Sequence, residues 1–236
     1  MSGSTFKHSG DLGDIIFALP TIRALGGGVL YLDPDGGRSE PLVKWRHLTR
    51  TRLTAASIDQ LAPLLRQQPY ITDVRLWLGE PVDHNLDQFR AHLRFNNLAD
   101  SHLAAFGLPS THRDAPWLSV RDPVRVPGKD LVIARSLKSQ GNHAFWEINI
   151  DAFRQRALFV GLPLEHQAFT HVFGPIEHYA TPNHLTLARV IAGAAKFIGN
   201  VSFPHAIAEA MKKPLYVEYD RTHCQVIFKR SGAQYV

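Results

Sequence analysis

Two short segments of the chain combine glycine and polar residues in patterns that could bind and activate a ligand. The first is residues 9–14, SGDLGD, between a predicted strand and a predicted helix. Gly10 and Gly13 would let the backbone approach a bound group, and the N–H groups at a helix start attract anions. A carboxylate at the mouth of such a loop, that of Asp14, could act as a general base. The alternative is a glycine-containing turn in which Asp14 simply caps the helix.

The second segment is residues 197–210, FIGNVSFPHAIAEA. An apolar strand ends here in Gly-Asn, and a helix containing a proline follows at once. Asn200 and Ser202 should therefore lie at the carboxyl end of a strand, where open α/β sheets bind their ligands. The N-terminal amides of the following helix would suit a diphosphate. The alternative is a tight turn in which Ser202 caps the helix.

Charge and composition favour an anionic ligand and give no sign of a metal site. The net charge is +5 and the pI is about 9.5, which suits a nucleotide, phosphate or nucleic acid. None of the 13 histidines has HExxH spacing, and the single cysteine, Cys224, excludes an internal disulfide and a cysteine metal cluster. Asp33-Pro34-Asp35 comes nearest to a metal-binding DxD triplet, but a Pro-Asp turn explains it. We therefore expect no metal and no other cofactor.

Alternating strands and helices must position these segments. Apolar strands are predicted over 5–8, 29–32, 71–78, 131–134, 158–160, 196–198 and 215–217, and helices over 14–25, 57–65, 87–106, 148–156, 163–169, 181–195 and 204–211. This rhythm is typical of an α/β fold with parallel sheets. Residues 121–130, RDPVRVPGKD, contain two prolines and a glycine and form the best linker. Two Rossmann-type domains follow, 1–125 and 126–236.

No segment of the sequence looks like a membrane span or an export signal. The densest apolar run, residues 15–19, stops at Pro20, and a span needs about 18 apolar residues. The N-terminus, MSGSTFKHSGD, lacks the basic-then-apolar pattern of a secretory signal. We expect a cytoplasmic protein.

Three segments, in order, resemble a known enzyme family. They are GDLGDIIFALPTIRALGG, FVGLPLEHQAF and LARVIAGAAKFIGNVSFPHAIAEAMKKP. Together they resemble the ADP-heptose:lipopolysaccharide heptosyltransferases, glycosyltransferase family 9. The resemblance implies a GT-B fold, in which two Rossmann-type halves face a central cleft. It also implies an acceptor-side first half, reduced in this short chain, and a second half that binds a nucleotide sugar.

The resemblance also assigns roles to matching residues. Asp14 matches the acid that serves the family as catalytic base, and Glu165 matches the acid that holds the ribose of the donor. His205 matches a histidine of the loop after the strand. Asn200 stands where the family usually has an aspartate, and Ser202 where it has a glycine, which leaves the donor preference open.

A basic residue follows the first strand of the second half in this family and steadies phosphate. Arg135 and Lys138 both fit that place. Arg135 is the stronger prediction because its planar fork binds phosphate through two hydrogen bonds. Trp117 and Trp146 are expected to pack in the core rather than stack on a base.

These observations predict an inverting, metal-independent glycosyltransferase. Asp14 would deprotonate the acceptor, a saccharide or glycolipid, and the donor would be a nucleotide-diphosphate sugar. Two alternatives stay open. One is a phage-type enzyme that glycosylates modified nucleic acid, which the basic pI favours. The other is a non-catalytic module that binds a nucleotide sugar or a protein on a degenerate GT-B scaffold.

Overall fold

The structure, a computed structural model, describes residues 3–36, 53–93, 97–219 and 225–236. The chain divides into two compact units, Met1–Ser119 and Val120–Val236. Cys224 and residue 37 of the turn after Asp33 lie outside the described residues.

The first unit is built on a parallel sheet. In its described part the sheet has four strands, β1 (Ser4–His8), β2 (Gly28–Leu32), β3 (Ile71–Leu76) and β4 (His84–Asn85), in the order β3-β2-β1-β4. The helices are α1 (Leu12–Ala24), α2 (Ala55–Leu65) and α3 (Leu98–Ala105), with 3-10 turns at Leu86–His92 and Ser110–Arg113. The central strand β1 therefore has neighbours on both sides, and the loop that follows it starts in the middle of the sheet edge.

The second unit repeats this plan on a parallel sheet ordered β6-β5-β7-β8-β9. The strands in its described part are β5 (Leu131–Ala134), β6 (Ala157–Phe159), β7 (Lys196–Asn200), β8 (Leu215–Glu218) and β9 (Ala233–Tyr235). The helices are α4 (His143–Arg154), α5 (Pro163–Phe173), α6 (His184–Gly193) and α7 (Phe203–Ala210). All four residues of β5 are buried, as expected for a parallel strand covered on both faces.

The core of each unit holds one of the two tryptophans that the sequence predicts to be buried. Trp146 is fully buried and packs edge-on against Phe169. Trp117 is 1% exposed, and its indole Nε1 donates to the carbonyl of Ile16 at 2.9 Å. Pro20 lies inside α1 and has no N–H to give to that carbonyl. Trp117 thus satisfies a buried acceptor that the proline leaves without its helical partner.

Several predicted helix boundaries were wrong, and each true start lies at a side-chain cap. The helix predicted over 87–106 is a 3-10 turn followed by a separate helix, α3, because Asn97 takes an extended backbone and caps α3 through the amide of Asp100. Ser57 is not the N-cap of α2 but its third residue, and it completes a capping box with Thr54. The helices predicted to start at 148 and 181 begin at His143 and His184, capped by Asn142 and Asn183.

The segment predicted as a linker, residues 121–130, packs on the second unit. Val124 N donates to Arg189 O at 3.0 Å. A Cβ at Gly193 would lie 1.8 Å from Val124 O, so α6 needs glycine where this segment crosses it. Among the described residues, no helix is both long and apolar enough to cross a membrane.

Candidate functional site

Three loops gather at the carboxyl edge of the second sheet. Strands β6, β5 and β7 are neighbours and run parallel, so the loops after them start side by side. Lys138 follows β5, Glu165 follows β6 in the first turn of α5, and Ser202 follows β7. The structure thus brings together three residues predicted from widely separated segments, at the edge where open α/β sheets bind ligands.

Asn200, the last residue of β7, fastens the loop after β5. Its Oδ1 accepts a hydrogen bond from Ser136 N at 2.9 Å. Its Nδ2 donates to the carbonyls of Ser136 at 2.9 Å and Lys138 at 2.8 Å. The side chain is fully buried. Asn200 therefore holds the loop rather than presenting its amide to a ligand, in contrast to the direct contact predicted for it.

Arg135 is held inside the unit by Glu218 at the end of β8. The guanidinium Nε lies 2.8 Å from Oε2 of Glu218, and Nη2 lies 3.0 Å from Oε1. The same carboxylate accepts from the indole of Trp146 at 2.7 Å and from Asn142 N at 2.8 Å. Arg135 is 5% exposed. Its two-pronged face is occupied, so the structure does not support the prediction that this fork binds phosphate.

Glu165 lies in the first turn of α5, partly exposed, close to Lys138. Its Oε2 accepts from Leu162 N at 2.9 Å. Burial raises the pKa of Glu165, and the Leu162 N–H and the charge of Lys138 oppose that rise. Gly161 has a φ of +139° and a Cβ there would lie 2.8 Å from Glu165 Oε2, so this turn requires glycine. The pair of Lys138 and Glu165 gives the edge one cation and one hydrogen-bond acceptor.

Ser202 is the N-cap residue of α7, but its hydroxyl does not cap the helix. The backbone is extended there, and Oγ donates to Asn200 O at 3.0 Å. The hydroxyl thus leaves the first N–H groups of α7 without a side-chain cap. Uncapped amides at a helix N-terminus attract anions, so this end of α7 suits a phosphate.

His205 lies in the interior of the second unit, in the first turn of α7. It is 1% exposed, and its Nε2 lies 3.4 Å from the hydroxyl of Tyr235 in β9. Burial, with a smaller effect of Arg230, lowers its pKa to about 3. His205 is therefore a neutral core histidine, and the predicted donor contact is not supported because the side chain is enclosed.

In the first unit, Asp14 lies in the first turn of α1 and is partly exposed. Its Oδ2 accepts from Asp11 N at 3.1 Å, and Asp11 is the N-cap. Gly10 is buried, and a Cβ on it would lie 2.5 Å from the His8 ring and 2.7 Å from Asp14 Oδ2. Gly10 thus lets the loop pass between the two side chains, while Gly13 sits partly exposed in the first turn. Asp14 both stabilises the helix start and presents a carboxylate at this edge.

Asp87 and Arg90, which the sequence did not single out, help to hold this loop in place. Asp87 accepts from Ser9 N at 2.9 Å and from Ser9 Oγ at 2.8 Å. Burial opposes its ionisation, but His8, the hydrogen bonds from Ser9 and the charge of Arg90 give Asp87 a lowered pKa. Arg90 Nη1 lies 2.8 Å from Oδ1 of Asp87. Asp87 comes 78 positions after Ser9, so the contact follows from the sheet order and not from local sequence.

His8 and His102 form the second support. Gly10 N donates to His8 Nδ1 at 2.8 Å, the two Nε2 atoms lie 3.0 Å apart, and His102 Nδ1 lies 2.8 Å from Leu98 O. These contacts assign the protons: His8 is protonated on Nε2, and His102 on Nδ1. Burial lowers the pKa of His8 to about 4 and that of His102 well below its usual value. Both rings are therefore neutral.

Within the described residues, no group of three or more His, Cys, Asp or Glu side chains is arranged to hold a metal ion. The ionic cluster at the edge of the first sheet consists of Lys7, Asp33, Asp87 and Arg90. Lys7 Nζ lies 2.9 Å from Asp33 and 3.3 Å from Asp87. Asp33 also accepts from the amides of Asp35 and Gly36, which confirms that the Asp-Pro-Asp triplet forms a turn.

Two parallel sheets with flanking helices give the chain the α/β fold of the GT-B glycosyltransferases, as the sequence predicts. Solved structures share it. One is the E. coli heptosyltransferase WaaC with ADP-2-deoxy-2-fluoro heptose, at a TM-score of 0.51 and 13% identity over 98% of this chain and 92% of that one.

Two further structures show the same likeness. A family 9 glycosyltransferase from Veillonella parvula matches at a TM-score of 0.53 and 12% identity, over 100% of this chain and 87% of that one. The iron-containing dodecameric glycosyltransferase TibC from enterotoxigenic E. coli matches at 0.60 and 16% identity, over 98% of this chain and 62% of that one. Neither the protein-family models nor the curated proteins include a match to the chain. At these identities the likeness establishes the fold.

Proposed function

We propose that the protein is a glycosyltransferase that uses a nucleotide-diphosphate sugar as donor. The observation that carries this proposal is the grouping of Lys138, Glu165 and the uncapped start of α7 at one edge of the second sheet. The fold adds support, since WaaC, which shares it, binds an ADP-heptose analogue. Cation, acceptor and helix amides are the groups that a nucleoside diphosphate needs.

Each group has a task in donor binding. The diphosphate accepts hydrogen bonds from the N–H groups in the first turn of α7, where Pro204 supplies none. It also pairs with Lys138, and these contacts together stabilise the charge of the departing group. Glu165 accepts from the ribose hydroxyls through Oε1, because Oε2 already accepts from Leu162 N. The positive charge of Lys138 and of the helix start takes the place of a metal ion.

The transfer step is a single displacement with inversion. A hydroxyl oxygen of the acceptor attacks the anomeric carbon, and the bond from that carbon to the phosphate oxygen breaks. The nucleoside diphosphate leaves with the electron pair, and Asp14 takes the hydroxyl proton. The acceptor we propose is a saccharide or a glycolipid.

A screen of ADP-, UDP-, GDP-, CMP- and dTDP-linked sugars tests the proposal, because a ligand that binds the native state raises the melting temperature. We expect one nucleotide series to raise it, and NMR of the product to show an inverted anomeric centre. No shift with any nucleotide would contradict the proposal.

The net charge of +5 favours a second acceptor class, modified nucleic acid. Binding to DNA that weakens steeply with rising salt would support that acceptor, and binding absent at low salt would exclude it. A nucleotide-sugar-binding module without activity remains distinct from both, because it would bind the donor without ever releasing nucleoside diphosphate.

A further inference from the structure

The buried amide of Asn200 makes contacts that only an amide can make. It accepts one hydrogen bond, from Ser136 N, and donates to the carbonyls of Ser136 and Lys138, with the Ser139 carbonyl as a longer third contact at 3.4 Å. A carboxylate has the same shape and could accept from Ser136 N. It has no hydrogen to give, however, and its second oxygen would face these three carbonyl oxygens in a buried site.

The hydrogen bond from Asn200 Nδ2 to the Lys138 carbonyl fixes the backbone that carries the Lys138 side chain. Ser136 Oγ donates to the same Lys138 carbonyl at 3.0 Å, so two groups hold that peptide. The next residue, Ser139, has a φ of +59°, a backbone conformation that non-glycine residues seldom adopt without support. Loss of the amide would release both the carbonyl and this turn.

The strand pairing leaves little freedom for Asn200 itself. Ala134 in β5 pairs with Gly199 in β7, and Asn200 pairs with Glu218 in β8. A Cβ at Gly199 would lie 2.2 Å from Ala134 O, so the two strands approach closely just before the loop. Asn200 is therefore held at a fixed distance from Ser136.

We propose that Asn200 is a positioning residue, which places Lys138 for the donor diphosphate and works only as an amide. The inference rests on the proposed function, because it takes Lys138 to be the phosphate cation. It predicts that aspartate at position 200, the residue expected from the family resemblance, impairs this chain.

The first test reads the loop itself and needs no ligand. In the 15N NMR spectrum of the full chain, the Ser136 amide should exchange slowly with solvent. In Asn200→Asp the carboxylate can still accept from Ser136 N, but its repulsion from the Ser136 and Lys138 carbonyls should open the loop, move the Ser136 signal and speed its exchange at least about tenfold. The matched control is Asn183→Asp. Within the part of the chain that the structure describes, the Asn183 side chain bonds only through Oδ1, as acceptor from Thr186, and aspartate is an equally good N-cap. Ser136 exchange unchanged by Asn200→Asp would overturn the proposal.

The second test is a double-mutant cycle with Lys138→Ala, measured as the dissociation constant of the nucleoside diphosphate that binds the wild type. Asn200→Asp alone should weaken binding about tenfold or more, with Asn183→Asp unchanged. In the Lys138→Ala background, Asn200→Asp should cost little further. An equal loss in both backgrounds would overturn the link to Lys138.

Misfolding of the aspartate variant and failure of the wild type to bind nucleotide can be told apart from failure of the proposal. If the aspartate variant does not fold, Asn200→Ser, which adds no charge, enters the same cycle with the same expectation. If the wild type binds no nucleotide, the proposed function and the link to the donor both fail. The Ser136 exchange result would still decide whether Asn200 holds the loop.

Discussion

Arg135 and Glu218 form a two-pronged ion pair in the interior of the second unit, with N–O distances of 2.8 and 3.0 Å. The residues are 83 positions apart and lie at the ends of β5 and β8. The arginine fork, which by chemistry is the better phosphate ligand, is thereby occupied. Lys138 lies at the same sheet edge, where its charge acts on Glu165.

Removing one partner of this pair should destabilise the protein strongly. Glu218→Ala leaves a buried guanidinium without its counter-charge, at a cost of about 3–5 kcal/mol in the free energy of unfolding. Urea unfolding measures it. The control is Asp130→Ala, whose ion pair with Arg156 is exposed and should matter little. An equal loss of unfolding free energy in the two variants would contradict the claim that the Arg135–Glu218 pair is buried and stabilising.

Lys138→Ala should weaken nucleotide binding without unfolding the protein. A charge-assisted contact to phosphate is lost, so the dissociation constant should rise about tenfold or more. Calorimetric titration measures this. The control is Lys196→Ala, because Lys196 starts β7 at the opposite edge of the same sheet. A larger loss with Lys196→Ala would show that the ligand binds elsewhere.

Asp14→Asn should lower turnover and leave donor binding intact. The amide retains an oxygen that can accept from Asp11 N, but it cannot take a proton, so kcat should fall about 10²- to 10⁴-fold. Release of nucleoside diphosphate in the presence of acceptor is the assay. The neighbouring Asp11→Asn, which keeps a good N-cap, serves as control. Full turnover by Asp14→Asn would remove Asp14 as the base.

Stability should fall as the pH is lowered from 7 to 5. His8 and His102 are neutral in the folded state, with the pKa of His8 lowered to about 4 by burial. Unfolded histidines take up protons below about pH 6.5, so each should cost up to about 1.4 kcal/mol per pH unit between pH 6.5 and 4. Urea midpoints across this range measure it, and His8→Gln should flatten the slope. Stability independent of pH there would contradict the buried, neutral pair.

Local sequence patterns predict the strands well and the helix starts less well. Strand β5 is found at the predicted residues because LVIA is a continuous apolar run. Helix α4 starts five positions before the predicted 148, because the asparagine cap at Asn142 decides its start rather than the apolar period. Strand β9, Ala233–Tyr235, has only three residues, too few to show a period.

The candidate site likewise has features that the sequence predicts and features that it does not. Placement of Lys138, Glu165 and Ser202 at one edge follows from the βα order that the sequence displays. The sequence does not decide whether Arg135 or Lys138 is the phosphate ligand, because that depends on the ion pair between Arg135 and Glu218. The burial of His205 and the Asp87 contact to Ser9 likewise arise from strands that pair across long stretches of chain.

Nucleotide binding mapped residue by residue tests the central claim most directly. The full chain, labelled with 15N, would be titrated with ADP, UDP, GDP and dTDP. We predict that one of them shifts the amides of the Ser136–Ser139 loop, the Glu165 turn and the start of α7, and that Lys138→Ala weakens the shift. If no nucleotide shifts these amides at millimolar concentration, or if the shifts fall only outside this edge, the proposed donor site is wrong.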